Sequence, residues 1–239
     1  ALFPPVTPEP VAEPTRVPTD WIDEQVDFIL SKQLASGAIL STGTKITPYF
    51  ANIAALGLLA ADTPRARAGV LSWMGWYLDH RNAAATNVPA ESVFDYVHDP
   101  STGVETSTGD FDSVDSYAST ALNLAYRAYV SGDPGLQRFV VANLGTYEAI
   151  ANLTTYGAPI GVRIESGPEA GLTIAKPTYA VAYTMDNAEV CSGLADLAAL
   201  ETLLGRSAQA TYYRSWADST RVAIVAKLWN QELDNWDAS

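Results

Sequence analysis

Apolar residues recur along this chain at three- and four-residue steps over long stretches, the period of one helical face rather than the alternation of a strand. Seven helices are predicted on that basis. The first covers about 20–33, with Trp21, Val26, Ile29 and Leu30 on its apolar side. The second starts at Pro48, whose fixed φ suits a first helical turn, and carries Tyr49, Ile53, Leu56 and Ala60. The third spans about 65–81 and holds Trp73, Trp76 and Tyr77, read as core. The fourth opens at Asp112 with Ala118, Ala121, Leu122, Ala125 and Tyr129 on one side, and the fifth covers about 134–153. The sixth runs from Asp186 to Leu204, with Val190, Leu194 and Leu197 aligned, and the seventh from about 207 to 229.

The gaps between these helices alternate. Long connections (about 34–47, 82–111 and 154–185) precede the second, fourth and sixth helices, and tight ones (about 62–65, 132–133 and 205–206) follow them. If successive helices are antiparallel, every long loop falls on one rim together with the start of every second helix, and functional residues gather where the loops are. The same three helices carry small residues on their faces, among them Ala54, Ala55, Gly57, Ala118, Ala121, Ala125, Gly193, Ala195 and Ala198, as helices crowded on both sides require. Their starts are 64 and 74 residues apart, beyond the ~30–50-residue periods of common helical solenoids. The expected fold is all-α: an (α/α) toroid of antiparallel helical hairpins, incomplete in this chain, with short β-hairpins in the loops of one rim. Ser92–Val97 alternates as a strand, and Val162–Glu165 with Leu172–Ile174 reads as a hairpin. Residues 1–19, rich in proline, form an extended arm, and residues 20–239 form one domain.

Charge narrows the partners. The net charge of −13 opposes nucleic acid and anionic membrane surfaces, and no apolar run is long enough to cross a bilayer. One cysteine, Cys191, leaves no intrachain disulfide, and the opening ALFPPVTPEP fits a processed, secreted chain or an expressed segment of a longer one. An extracellular location is expected. His80 and His98 stand alone, no glycine-rich phosphate loop appears, and no serine sits in a nucleophile elbow, so no metal and no cofactor are expected.

The candidate chemistry lies in the acids that open alternate helices. In Asp112-Ser-Val-Asp115, Asp112 is the expected N-cap, while Asp115 points along the apolar stripe at its open end. In Asp186-Asn-Ala-Glu189, the acids match a capping box, yet Asp186 also falls near the line of Val190 and Leu197. Two neighbouring helices would thus bring one carboxylate each to a shared opening, as an acid/base pair for glycoside cleavage requires. Aromatic residues gather on the same rim, with Tyr49, Phe50, Tyr96, Phe111, Tyr117, Tyr179 and Tyr183 among them; such rings stack on sugar faces, though Phe50 and Phe111 are read as core. Lys176 is a rare base just ahead of Asp186.

Three segments, Pro48–Leu59, Asp112–Thr120 and Tyr183–Glu189, resemble inner-helix openings of the six-hairpin glycosidases, the (α/α)6 toroids. The resemblance covers about residues 20–236. It implies a glycoside hydrolase acting on a poly- or oligosaccharide, with Asp115, Asp186 and Glu189 as catalytic positions. The substrate-binding set is Tyr49, Asn52, Tyr96, Asp112, Tyr117, Lys176, Tyr179 and Asn187, and inversion is the expected outcome. Six hairpins need twelve helices, so either a C-terminal portion lies outside this sequence or the ring is open. Exposed flanks would then invite a homodimer or a partner fragment. The competing expectations are a non-catalytic glycan-binding or scaffold protein with the same fold, and, less well suited to an acidic rim, a polysaccharide lyase.

Overall fold

The computed structural model describes residues 19–239, and within them the chain is mostly helical with a few short antiparallel strands. Eight helices are formed among the described residues: α1 (Thr19–Ser31), α2 (Pro48–Ala61), α3 (Pro64–Asp79), α4 (Val114–Val130), α5 (Pro134–Ala142), α6 (Leu144–Thr155), α7 (Thr184–Leu203) and α8 (Ser207–Leu228). Local chemistry fixes several of their ends. Pro48, Pro64 and Pro134 occupy first turns, where a missing N–H costs nothing. Thr63 Oγ1 accepts from the Ala66 amide, and Asp133 Oδ1 accepts from Gly135 and Leu136, so α3 and α5 are capped as their sequences suggest.

The expected fifth helix is broken in two. At Asn143 the side chain donates to the Phe139 carbonyl at 2.8 Å, competing with the continuing helical ladder, and the backbone leaves the helical region. Thr19 belongs to α1 rather than to the proline-rich arm, whose other residues, 1–18, lie outside the described part.

The chain is organised around α4. This helix packs on α2, α5, α6 and α7, while α2 also packs on α1 and α3, and α7 on α8. Twelve of its residues are buried, mostly small or medium-sized. Contact with α7 is closest at Gly193, where an added Cβ would stand 2.7 Å from the Ser119 carbonyl oxygen and 2.9 Å from its Cα. Tight connections join α2 to α3, α4 to α5 and α7 to α8, making each a helical hairpin.

The long connections meet at the starts of α2, α4 and α7. The strands β1 (Lys45–Ile46), β2 (Tyr96–His98) and β3 (Glu105–Ser107) form an antiparallel sheet in that order, with Lys45 opposite Val97 and Val97 opposite Thr106. The expected strand over Ser92–Val97 is thus shifted and shortened, with Val93 making only an isolated bridge to Arg81. Arg163 pairs with Thr173 in the expected loop hairpin, and Val114 N–H donates to the Ala175 carbonyl at 2.6 Å, tying this loop to the start of α4. A hairpin that the helical period does not reveal, β4 (Trp229–Asn230) with β5 (Asn235–Trp236), returns the C-terminal residues to the start of α7.

Candidate functional site

The start of α4 is built around a serine. Ser113, not Asp112, is the N-cap: its Oγ accepts from the Ser116 amide at 3.2 Å. The same hydroxyl has one proton, and it points to Asp115 Oδ1 at 2.6 Å. Asp115 Oδ1 also accepts from Ser116 N–H (2.9 Å), and its Oδ2 accepts from Thr173 Oγ1 (2.7 Å). This carboxylate is completely buried. Burial, followed by the nearby Asp186 charge, pushes it up to about 7 even though three donors favour its ionised form.

The start of α7 carries a carboxylate in the opposite condition. Tyr183 is the N-cap and offers no side-chain bond, so Asp186 and Glu189 do not form a capping box. The first turn is instead met by the C-terminal segment, with Thr184 N–H donating to the Ala238 carbonyl at 3.0 Å and its hydroxyl to the Asp237 carbonyl. Asp186 is 5% exposed; Ser113 Oγ stands 3.4 Å from its Oδ2, and the hydroxyls of Ser116 and Ser113 both favour its ionised form. Its carboxyl is pushed up to about 6 by burial first, then by the charge of Glu189, with Asp112 adding to it.

One hydroxyl touches both acids, at 2.6 and 3.4 Å, so the facing oxygens lie closer than the ~6.5–9.5 Å that leaves room for water in an inverting pair. Between Asp115 and Asp186 stands the Ser113 hydroxyl, in contact with both.

An open cleft of about 1290 Å³ lies over the starts of α2, α4 and α7. Six aromatic residues line it, Tyr49, Phe50, Tyr117, Tyr179, Tyr183 and Trp236, of which Tyr117 is itself buried. Asp112, Asp186 and Asp237 bring carboxylates, Ser113 and Ser116 hydroxyls, and Lys176 an amine. Ser116 is 3% exposed and its Oγ has no hydrogen-bond partner among the described residues. Lys176 Nζ is spent on the Asp110 carboxylate (3.0 and 3.1 Å) and the Phe111 carbonyl (2.7 Å). Tyr117, buried at 2% exposure, donates to Asp95 Oδ1 (2.7 Å) and accepts from the Asp112 amide (3.2 Å), which holds the Asp112 loop in place. Asp95 is raised above the ordinary carboxylate range, burial outweighing the Tyr117 bond.

The expected residues therefore separate. Tyr49, Asp112, Tyr117, Lys176, Tyr179 and Asp186 share the cleft. Asp115 is sealed behind Ser113. Glu189 lies behind the lining, with Oε1 accepting from Tyr49 OH (2.7 Å) and Oε2 buried without a partner among the described residues; this contact and burial raise the Tyr49 phenol to about 12, burial being the larger cause.

Three binding residues are corrected. Asn52 is fully buried; it donates to the Tyr117 carbonyl (3.3 Å) and Thr120 Oγ1 (2.9 Å) and accepts from Trp73 Nε1 (2.9 Å), so it has no group left for a ligand. Asn187 is equally committed: its Oδ1 accepts from the Thr173 amide and its Nδ2 donates to the Thr173 and Tyr183 carbonyls. Tyr96 packs edge-on against Trp76 and His80, outside the cleft lining.

Phe50, read as core, is 58% exposed in the cleft, while Phe111 is buried at 3% and stacks on Phe94. Trp236 and Asp237 were not among the expected residues; the signal was the pair of tryptophans flanking a polar turn in Trp229–Trp236. Among the described residues, no three His, Cys, Asp or Glu side chains are grouped to hold a metal ion, and no helix is long and apolar enough to cross a membrane. Compared with known proteins, the chain matches no protein-family model and no curated sequence.

Proposed function

We propose that this chain is a glycoside hydrolase, its helical hairpins arranged as part of an α/α toroid and its substrate bound across the starts of α2, α4 and α7. The observation that carries the reading is Asp186: a nearly buried carboxyl with only serine hydroxyls beside it, opening into a cleft lined by aromatic residues. A group held protonated to about pH 6 suits donation of a proton to a glycosidic oxygen. Asp112, exposed on the same cleft, supplies the second carboxylate for the developing positive charge or for activating water. Asp115 is a positioning residue: it accepts the Ser113 hydrogen bond and so leaves only a long contact from that hydroxyl to Asp186. Glu189 acts from behind, its charge favouring the protonated form of Asp186. The aromatic rings offer stacking surfaces for successive sugar units.

The test is release of reducing ends over a panel of polysaccharides, with Asp186→Asn as control. Turnover that falls by about 10²–10⁴-fold in the variant supports the reading. Turnover unchanged by the substitution overturns it. A second reading, glycan binding without cleavage, is favoured by one observation, the complete hydrogen-bonding and burial of Asp115; it predicts oligosaccharide affinity with no product on any polysaccharide.

A further inference from the structure

Resting on that reading, we infer that the cleft selects an amino-bearing, cationic glycan over neutral or uronate-containing ones. Charge on the lining is one-sided. Asp112 and Asp237 line the cleft, Asp186 adds its charge only above about pH 6, and the amine of Lys176, the cation among the lining residues, is already spent on Asp110 and Phe111. Behind the lining stand Glu189 and Asp95, adding to the same negative field. Asp237 keeps capacity for a ligand, since only its Oδ1 is engaged, by Asn230 Nδ2 at 3.0 Å.

Asp186 and Ser116 are both more than nine-tenths buried; the Ser116 hydroxyl faces Asp186 without meeting a close partner among the described residues, and the 3.4 Å contact from Ser113 engages only Oδ2 of the carboxyl. A protonated amine on a sugar ring supplies up to three donors, and Asp186 Oδ1 has no close one among the described residues. The aromatic faces add to the preference, because a cation is drawn to the negative face of a ring whereas a uronate is repelled by the carboxylates around it. A neutral sugar gains the stacking alone.

Calorimetric titration with glucosamine oligomers, N-acetylglucosamine oligomers and neutral glucose oligomers of one length tests this, at a pH that keeps the amines charged. In about 0.01 M salt the cationic oligomer is expected to bind at least about tenfold more tightly than either neutral one. In about 1 M salt, where the screening length falls from ~30 to ~3 Å, most of that ratio should disappear. Asp237→Asn should narrow the ratio, and this exposed segment carries little risk to folding. Equal binding of neutral and cationic oligomers at low salt, or tighter binding of a uronate oligomer, overturns the inference and leaves the glycan reading standing. Equal binding of a plain aliphatic diamine shows charge recognition without sugar recognition and overturns the inference. No binding of any oligomer removes both.

Discussion

The starts of α4 and α7 share an aspartate in the first turn and differ in what surrounds it. Each places an aspartate in the first helical turn, where the helix dipole favours negative charge. At α4, Asp115 has three donors and no access to solvent; at α7, Asp186 has only serine hydroxyls beside it and opens on the cleft. The difference comes from what surrounds each turn. Thr173, in the loop before α7, reaches across to close the α4 site, while the C-terminal segment meets the α7 turn through backbone carbonyls and leaves its carboxylate free. An acid at a helix start is thus closed into a clasp or left open to a cleft according to the donors that distant segments bring to it.

The largest expected effect breaks the reactive half of this pair. Asp186→Asn should remove about 10²–10⁴-fold of kcat on the preferred glycan and, below about pH 4, where the acid is protonated folded and unfolded, change the urea midpoint little. The clasp should behave in reverse. Asp115→Ala leaves the Ser113 and Thr173 hydroxyls and the Ser116 amide without their acceptor, and about 3 kcal/mol of stability should disappear in denaturant unfolding. Gly193→Ala drives a methyl into the Ser119 backbone at the seam between the two helices. About 1–3 kcal/mol of destabilisation is expected, with a fall in kcat because the seam sets the spacing of the two acids.

The pH dependence of stability follows from the direction of both shifts. Asp115 and Asp186 are raised from the ordinary 3.8 to about 7 and about 6, so between these values the folded protein holds more protons than the unfolded one. Their contribution is fully present below about pH 4 and is lost as the pH rises through about 7. Thermal melts across that window should show a steeper loss in the wild type than in Asp115→Asn. The smallest effect is expected at the cleft wall: Trp236→Ala should raise KM several-fold with kcat nearly unchanged, as loss of one stacking ring predicts.

Much of this was legible in the chain. Helical periods, prolines at helix starts and small residues on alternate helices anticipated α2, α3, α4, α7 and α8, and the long loops do meet at one set of helix starts. The acids at those starts were visible as well. Their division of labour was not, because it depends on Thr173, 58 residues from Asp115, and on a hydroxyl at Ser113 shared between two helices. Asn52 and Asn187 looked like ligand groups for the same reason: the Trp73 indole and the Thr173 backbone that consume them are distant in sequence. Trp236 escaped because a short polar turn has no helical period, and the break at Asn143 because one side chain outweighs a continuous apolar stripe.

The central claim is that Asp186 reacts and Asp115 only positions. The pH profile of kcat for the wild type, Asp186→Asn and Asp115→Asn on one hydrolysed glycan tests it most directly. Asp186→Asn should be inactive at every pH, while Asp115→Asn should keep measurable turnover, limited on the alkaline side by a group near pH 6 as in the wild type. A folded Asp115→Asn as inactive as Asp186→Asn, or an Asp186→Asn with the wild-type profile, would contradict the account.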